Sequence, residues 1–149
     1  MQAMFADLLR RLTTPEPGDF TEPDARLALA ALMVRVARSD GNYEMVEISR
    51  IDRILMQRHD LDAWGAAALR KEAEDLEAEA PDTVRFTRAI KDAVPLEERI
   101  SVIEALWSVV LADGERDQEE DGLLRLLVNL LGIADRDSAL ARQRAEARL

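Results

Sequence analysis

Acidic residues recur with the same spacing in two parts of the chain, each time around an Asp-Gly pair. The candidate ion ligands are Asp40, Glu44 and Glu47 in the first set and Asp113, Asp117 and Glu120 in the second. In each set the last two acids are three residues apart, so they would share one face of a helix, and the Asp would lie at the corner before that helix. The spacing therefore allows three carboxylates to converge at each corner.

The chain has no cysteine and only one histidine, so oxygen is the ligand type available for a bound ion. Oxygen ligands favour hard divalent cations, with calcium as the first candidate and magnesium or manganese as the next. A standard EF-hand is excluded, because its loop needs a glutamate at the twelfth position, which is Ile51 or Leu124 when counted from either Asp. We predict a divalent-cation site at one or both corners.

Helix capping is the alternative explanation of the same acids. Asp117 is a good N-cap, Glu120 three residues later completes something close to a capping box, and Asn42 can cap the first copy. The helix dipole also favours acids in a first turn. Capping explains less well why Asp40 and Asp113 precede glycine at a helix C-terminus, where negative charge is unfavourable. Ion binding and capping therefore both stay open.

The elements that would position these acids are helices. Apolar residues recur with helical spacing along almost the whole sequence, and no segment shows the sustained alternation of apolar and polar residues that is typical of a strand. The predicted fold class is all-α, a compact bundle of about seven to eight helices. Residues 1–20 form an N-terminal amphipathic helix and a proline-rich linker, and residues 21–149 form the helical domain. Capping residues are expected at Thr21, Asp62 and Asp82.

Two of the predicted helices carry specific expectations about burial. A helix at about 43–59 places four apolar residues on one stripe, namely Met45, Ile48, Ile51 and Leu55. A helix at about 117–131 contains the sequence LLRLLVNLL and is apolar over most of its circumference. A helix that is apolar on all sides is usually buried, so we expect this one near the centre of the core.

The two acidic sets belong to a longer internal repeat. A shift of 73 residues aligns Asp40 with Asp113 and also brings apolar positions together, such as Ile51 with Leu124. The predicted repeats span about 27–59 and 100–132, each consisting of a helix, an Asp-Gly corner and a second helix. Such a unit cannot bury its apolar face alone, so we expect the two copies to pack as pseudo-symmetric halves of one bundle.

The charge balance restricts the partners. The formal net charge is −10, which opposes approach to nucleic acid and to anionic lipid surfaces. No apolar run approaches the roughly 20 residues of a membrane-spanning helix, so the chain is not expected to be transmembrane. Without cysteine nothing indicates an oxidising compartment, and the cytoplasm is the expected location. Protein partners are expected instead of nucleic acid.

The repeated segments RVARSDGNYEMVEISRIDRIL and VVLADGERDQEEDGLLRLLV resemble the TerB-like (tellurite-resistance protein B) family over about residues 25–147. The resemblance implies an all-helical bundle with an acidic face, a role in metal-ion binding or sensing, and association with bacterial stress-response complexes at the inner face of the membrane. It also implies that the six acids above are the ion ligands. The second set fits the family pattern better, because Ala112 precedes its Asp whereas Ser39 precedes the first.

Other residues that could do chemistry favour structural roles. His59 lies near a helix C-terminus, where a partly protonated ring is favourable. It has no nucleophile at a suitable spacing, so no enzymatic activity is expected. Trp107 is expected in the core, and Trp64 either at its edge or against a partner. The leading hypothesis is a non-enzymatic, cation-binding domain that interacts with proteins; the alternative is an ion-independent scaffold or adaptor that binds a partner through its acidic surface.

Overall fold

The computed structural model describes residues 6, 8–10, 20–39, 41–80, 82–112 and 118–148, without the side chains of residues 118–120. This part of the chain consists of helices joined by short turns and contains no strand. The first helix, α1, is described at residues 6 and 8–10. The helices that follow are α2 (Glu22–Arg38), α3 (Met45–His59), α4 (Ala63–Glu79), α5 (Thr83–Ala93), α6 (Leu96–Val110), α7 (Gln118–Leu130) and α8 (Asp135–Ala147). The predicted all-α bundle is confirmed.

Local caps define where three of these helices begin. The Thr21 backbone N–H donates to Asp24 Oδ2 at 2.8 Å, and the Asp24 N–H donates to Thr21 Oγ1 at 3.3 Å, which is the expected capping box of α2. Asp62 accepts the Gly65 N–H at 2.7 Å at the start of α4. Asp82 caps α5 in the same way. All three caps predicted from the sequence are present.

Helix α2 is the central helix of the bundle. It packs against α3, α4, α5, α6 and α7. Its alternating alanine and leucine residues are almost all buried, because alanine lets neighbouring helices approach closely while leucine fills the space between them. Helix α1 adds the fully buried Leu8 to the same core. Helix α8 packs on α6, where Trp107 Nε1 donates to Ser138 Oγ at 3.1 Å.

Two expectations about burial are wrong. Helix α7 is not at the centre of the core: its Leu126 is 46% exposed, and its core side is formed by Leu124, Leu127 and Val128. Helix α2 takes that place, since it has neighbours on more sides. Met45 does not join the stripe of α3 and is 72% exposed, because it is the first residue of the helix and lies beyond the packed turns.

The start of α7 agrees with the 73-residue shift found in the sequence, whereas its end comes two residues earlier than that shift predicts. Shifted by 73, α3 would span residues 118–132, and α7 is Gln118–Leu130. Both helices end in a left-handed residue, Asp60 with φ 53° and Gly132 with φ 71°. In both, the next N–H donates five residues back, from Leu61 to Met56 at 3.1 Å and from Ile133 to Val128 at 3.0 Å. The packing of the repeats as pseudo-symmetric halves stays a prediction.

Candidate functional site

The first Asp-Gly corner joins α2 to α3. Ser39 ends α2, and its hydroxyl donates to the Val36 carbonyl at 2.7 Å. Gly41 follows with a φ of 84°, and its N–H donates to the Arg38 carbonyl at 3.0 Å. Side chains other than glycine rarely adopt a positive φ, so the turn requires glycine here. The end of α2 and the residues just before α3 lie in contact, since the Arg38 guanidinium stacks on the Tyr43 ring.

Glu44 and Glu47 are the two predicted ligands whose side chains the structure describes. Glu44 is exposed and is the N-cap residue of α3, in place of the Asn42 cap considered from the sequence. Glu47 is buried, with only 1% of its surface exposed. Its Oε1 accepts the Glu44 backbone N–H at 3.2 Å. The structure therefore places Glu47 in the first turn of α3 and Glu44 at the N-cap just before it.

The other four predicted ligands lie outside the described residues. They are Asp40, Asp113, Asp117 and the side chain of Glu120. Among the side chains that are described, no three acids or histidines are grouped so that they could hold a metal ion. That finding includes only two of the six candidates, Glu44 and Glu47. Metal binding at either corner therefore stays a prediction.

The sequence from residue 26 to residue 143 matches the model of the family described as tellurite resistance protein TerB. The chain belongs to the TerB family. The match covers most of the chain and confirms the resemblance carried by the two Asp-Gly segments. Comparisons with curated proteins and with solved structures gave no match. In the described part of this TerB-family chain, no helix has both the length and the apolar character needed to cross a membrane.

Tyr43 ties the first corner of this TerB-family chain to α4. Its hydroxyl donates to Glu74 Oε2 at 2.7 Å, and Arg70 holds the same oxygen at 3.1 Å and Asp52 Oδ1 at 2.6 Å. The Arg38 guanidinium lies 4.9 Å from the centroid of the Tyr43 ring. Burial, followed by the bond to Glu74, raises the pKa of Tyr43 well above its ordinary value. The phenol therefore stays protonated and holds the corner against α4.

Glu77 anchors the end of α2 to α4. Its Oε1 lies 3.3 Å from Arg35 Nε, and its Oε2 lies 2.8 Å from Arg38 Nη1. Arg35 also donates to the hydroxyl of Thr83 at 3.2 Å, at the start of α5. The Glu77 side chain is only 14% exposed, so solvent screens these ion pairs less than it screens surface pairs. The end of α2, which leads into the first corner, is thus bonded both to α4 and to the start of α5.

His59, the single histidine, is the last residue of α3, as expected, but its charge differs from the expectation. Its Nε2 is buried and has no hydrogen-bond partner among the residues that the structure describes. Burial, and then the positive charges of Arg26 and Arg58, lower the pKa of His59 to about 4. The ring is therefore neutral near neutral pH, and the partly protonated ring predicted from the helix C-terminus is wrong. Burial and two arginines outweigh the helix dipole.

Sequence reasoning missed a group of arginines on α3. Arg50, Arg53 and Arg58 line a cleft between α3, α6 and the end of α8. The signal was present in the sequence, because Arg50, Arg53 and Gln57 follow the spacing of one helix face. It was easy to overlook, because α3 begins with acids and the chain as a whole is strongly acidic.

Proposed function

We propose that this TerB-family chain is a non-catalytic module that binds a hard divalent cation, calcium first, at one or both Asp-Gly corners. We further propose that its acidic surface binds protein partners in a bacterial tellurite-resistance or stress setting, within the cytoplasm at the inner face of the membrane. The observation that supports ion binding best is the burial of Glu47 at the first corner, with 1% of its surface exposed.

Burying a carboxylate is costly unless hydrogen bonds, an opposite charge or a metal ion compensate. One oxygen of Glu47 accepts the backbone N–H of Glu44 at 3.2 Å, and a metal ion bound at the corner would further compensate the buried charge. The exposed Glu44 carboxylate stands at the N-cap of the same helix, so a cation at the corner would have two carboxylate donors close in sequence. Carboxylates are the ligands that calcium prefers. Asp40 would complete the first site, and Asp113, Asp117 and Glu120 would form the second.

The ion-independent scaffold remains the second candidate, and one contact favours it. The bond from the Glu44 N–H to Glu47 is the contact that a capping residue makes, and it stabilises the start of α3 without any ion. The helix dipole adds to this by favouring negative charge in the first turn. In this case the acids would serve the helices, and function would lie in the binding of a protein partner.

We propose no catalytic activity for the module. The chain has no cysteine. The Nε2 atom of its single histidine, His59, is buried and has no hydrogen-bond partner in the described part of the chain, which is a poor position for proton transfer to a substrate. A reaction that depends on His59 would contradict this part of the proposal.

Calorimetric titration of metal-stripped protein with calcium, magnesium and manganese tests the ion site, with thermal melts on the same samples. We expect saturable heat, and at an ion concentration of about 100 times the Kd the native state should gain about 2.7 kcal/mol. The variants are Asp113→Asn with Asp117→Asn for the second corner and Glu44→Gln for the first. Asp75→Asn at an exposed position of α4 is the control, because it removes one negative charge, as Glu44→Gln does, at a residue that is not a candidate ligand.

If the corners bind an ion, the corner variants should have a lower affinity for that ion than the parent chain, and Asp75→Asn should have the same affinity as the parent. Absence of heat with all three ions, or unchanged affinity in both corner variants, would contradict the cation site. The scaffold predicts a different pattern, in which the variant of Asp113 and Asp117 loses stability by the same amount with and without calcium.

A further inference from the structure

A cleft of about 510 Å³ lies between α3, α6 and the end of α8. Among the residues that the structure describes, its charged lining consists of four arginines, Arg50, Arg53, Arg58 and Arg148, and one acid, Glu104. In a chain whose formal net charge is −10, such a concentration of positive charge in a concave site is unexpected. The cleft shares no residue with the six candidate ligands of the Asp-Gly corners. Its charge is mainly positive, whereas those ligands are negative.

Within the described ranges, one of the four arginines forms an ion pair with a carboxylate. Arg148 Nη1 lies 3.4 Å from Glu104 Oε1, and Arg144 shares the same oxygen at 3.6 Å. None of the ion pairs among the described residues includes Arg50, Arg53 or Arg58. Elsewhere in the bundle arginines between helices are paired, as Arg70 of α4 is with Asp52 of α3 at 2.6 Å. Three guanidinium groups of the cleft thus have no ion pair within the described part of the chain.

Neutral serine hydroxyls hold two of these guanidinium groups in place. Arg50 Nη1 donates to Ser108 Oγ at 3.0 Å and to the Ser108 carbonyl at 3.3 Å. Arg58 Nη1 donates to Ser101 Oγ at 2.6 Å. Each guanidinium has five N–H donors, so most of them stay available. The serines orient the arginines without neutralising them, which is the arrangement expected of a preorganised anion site.

The electrostatics of the cleft agree with this geometry. Burial, and next the charge of Arg53, lower the pKa of Arg50, so the two guanidinium groups repel each other. Burial also lowers the pKa of Arg58, and Glu98 opposes that shift. An anion bound between the arginines would relieve the repulsion and restore the solvation that burial removes.

We propose that this cleft binds a small ligand carrying at least two negative charges on phosphoryl or carboxylate oxygens. The cleft volume falls in the range of small-molecule sites, about 300 to 1,000 Å³. A long polyanion such as nucleic acid would be repelled by the acidic remainder of the chain, whereas a small anion inside the cleft is screened from it over roughly 8 to 10 Å. Bidentate contacts from planar guanidinium groups suit both oxyanions.

Titration calorimetry on the full chain with inorganic pyrophosphate and citrate, in a low-salt buffer free of phosphate, tests this site. Saturable binding of either anion is the expected result; pyrophosphate alone identifies a phosphoryl ligand and citrate alone a carboxylate ligand. Arg53→Gln should weaken binding by about tenfold or more, because it removes one charge-assisted contact. Arg53 is exposed and has no ion pair among the described residues, so this variant should fold normally.

Arg88→Gln is the matched control, since Arg88 is an exposed arginine of α5 that does not line the cleft. The affinity of this variant for pyrophosphate or citrate should stay within about twofold of the affinity of the parent chain. The proposal is overturned if neither anion binds. It is equally overturned if Arg88→Gln weakens binding as much as Arg53→Gln, because the attraction would then be a property of the whole surface. The cation titrations at the Asp-Gly corners do not affect this test.

Discussion

The neutral His59 predicts how the stability of the bundle depends on pH. The pKa of His59 is lowered from 6.5 to about 4 in the folded chain, first by burial and then by Arg26 and Arg58, while Glu22 opposes the shift. The unfolded chain therefore binds the proton more readily than the folded chain does. The contribution of this group to stability is complete above a pH of about 6.5 and is lost as the pH falls toward about 4.

The magnitude follows from the two pKa values. Between about pH 7.5 and pH 5 the linkage relation gives a loss of about 2 kcal/mol from this one group. His59 is only half-buried, and solvent screening reduces the figure to about 1 to 2 kcal/mol. For a chain of this size the loss corresponds to a fall in Tm of about 2 to 6 °C.

Urea denaturation at several pH values, with and without the substitution His59→Gln, measures this contribution. Because many carboxylates also titrate in the acidic range, the decisive quantity is the difference between the two curves of unfolding free energy against pH. The parent chain should lose about 1 to 2 kcal/mol more than His59→Gln between about pH 7.5 and pH 5. Parallel curves for the two proteins would refute the neutral, buried histidine.

A second variant controls for the presence of a histidine as such. His59→Gln combined with Gln143→His moves the only histidine to an exposed position of α8. A surface histidine titrates almost alike in the folded and unfolded chain, so this variant should follow His59→Gln and not the parent. A steep pH dependence in the combined variant would show that the slope does not come from burial.

Three further predictions concern the same denaturation assay at neutral pH. Phe86→Ala should lower the free energy of unfolding by about 3 to 5 kcal/mol, because Phe86 is fully buried in the core. A decrease below about 1 kcal/mol would contradict that packing. Glu77→Gln should cost about 1 to 2 kcal/mol, because it weakens the pairs with Arg35 and Arg38, and the double-mutant cycle with Arg38→Gln should show coupling. Trp64→Ala should change stability by less than about 0.5 kcal/mol, since Trp64 is 87% exposed, and a larger loss would mean that this side chain is packed.

Sequence reasoning reached the features that depend on neighbours along the chain. The caps at Thr21, Asp62 and Asp82 each involve an N–H only three residues away, so the pattern of residue types was sufficient to predict them. Helical periodicity predicted the all-α bundle for the same reason, and the two Asp-Gly segments were sufficient to indicate the TerB family.

The tertiary structure decided the features that depend on residues far apart in the sequence. Helix α2, and not α7, became the centre because burial depends on how many helices surround an element, which the apolarity of one segment does not determine. The charge of His59 depends on Arg26, and the cleft depends on Ser101 and Ser108 of α6 meeting the arginines of α3. These partners are 33 to 58 residues apart along the chain, and only packing brings their charges and donors within reach.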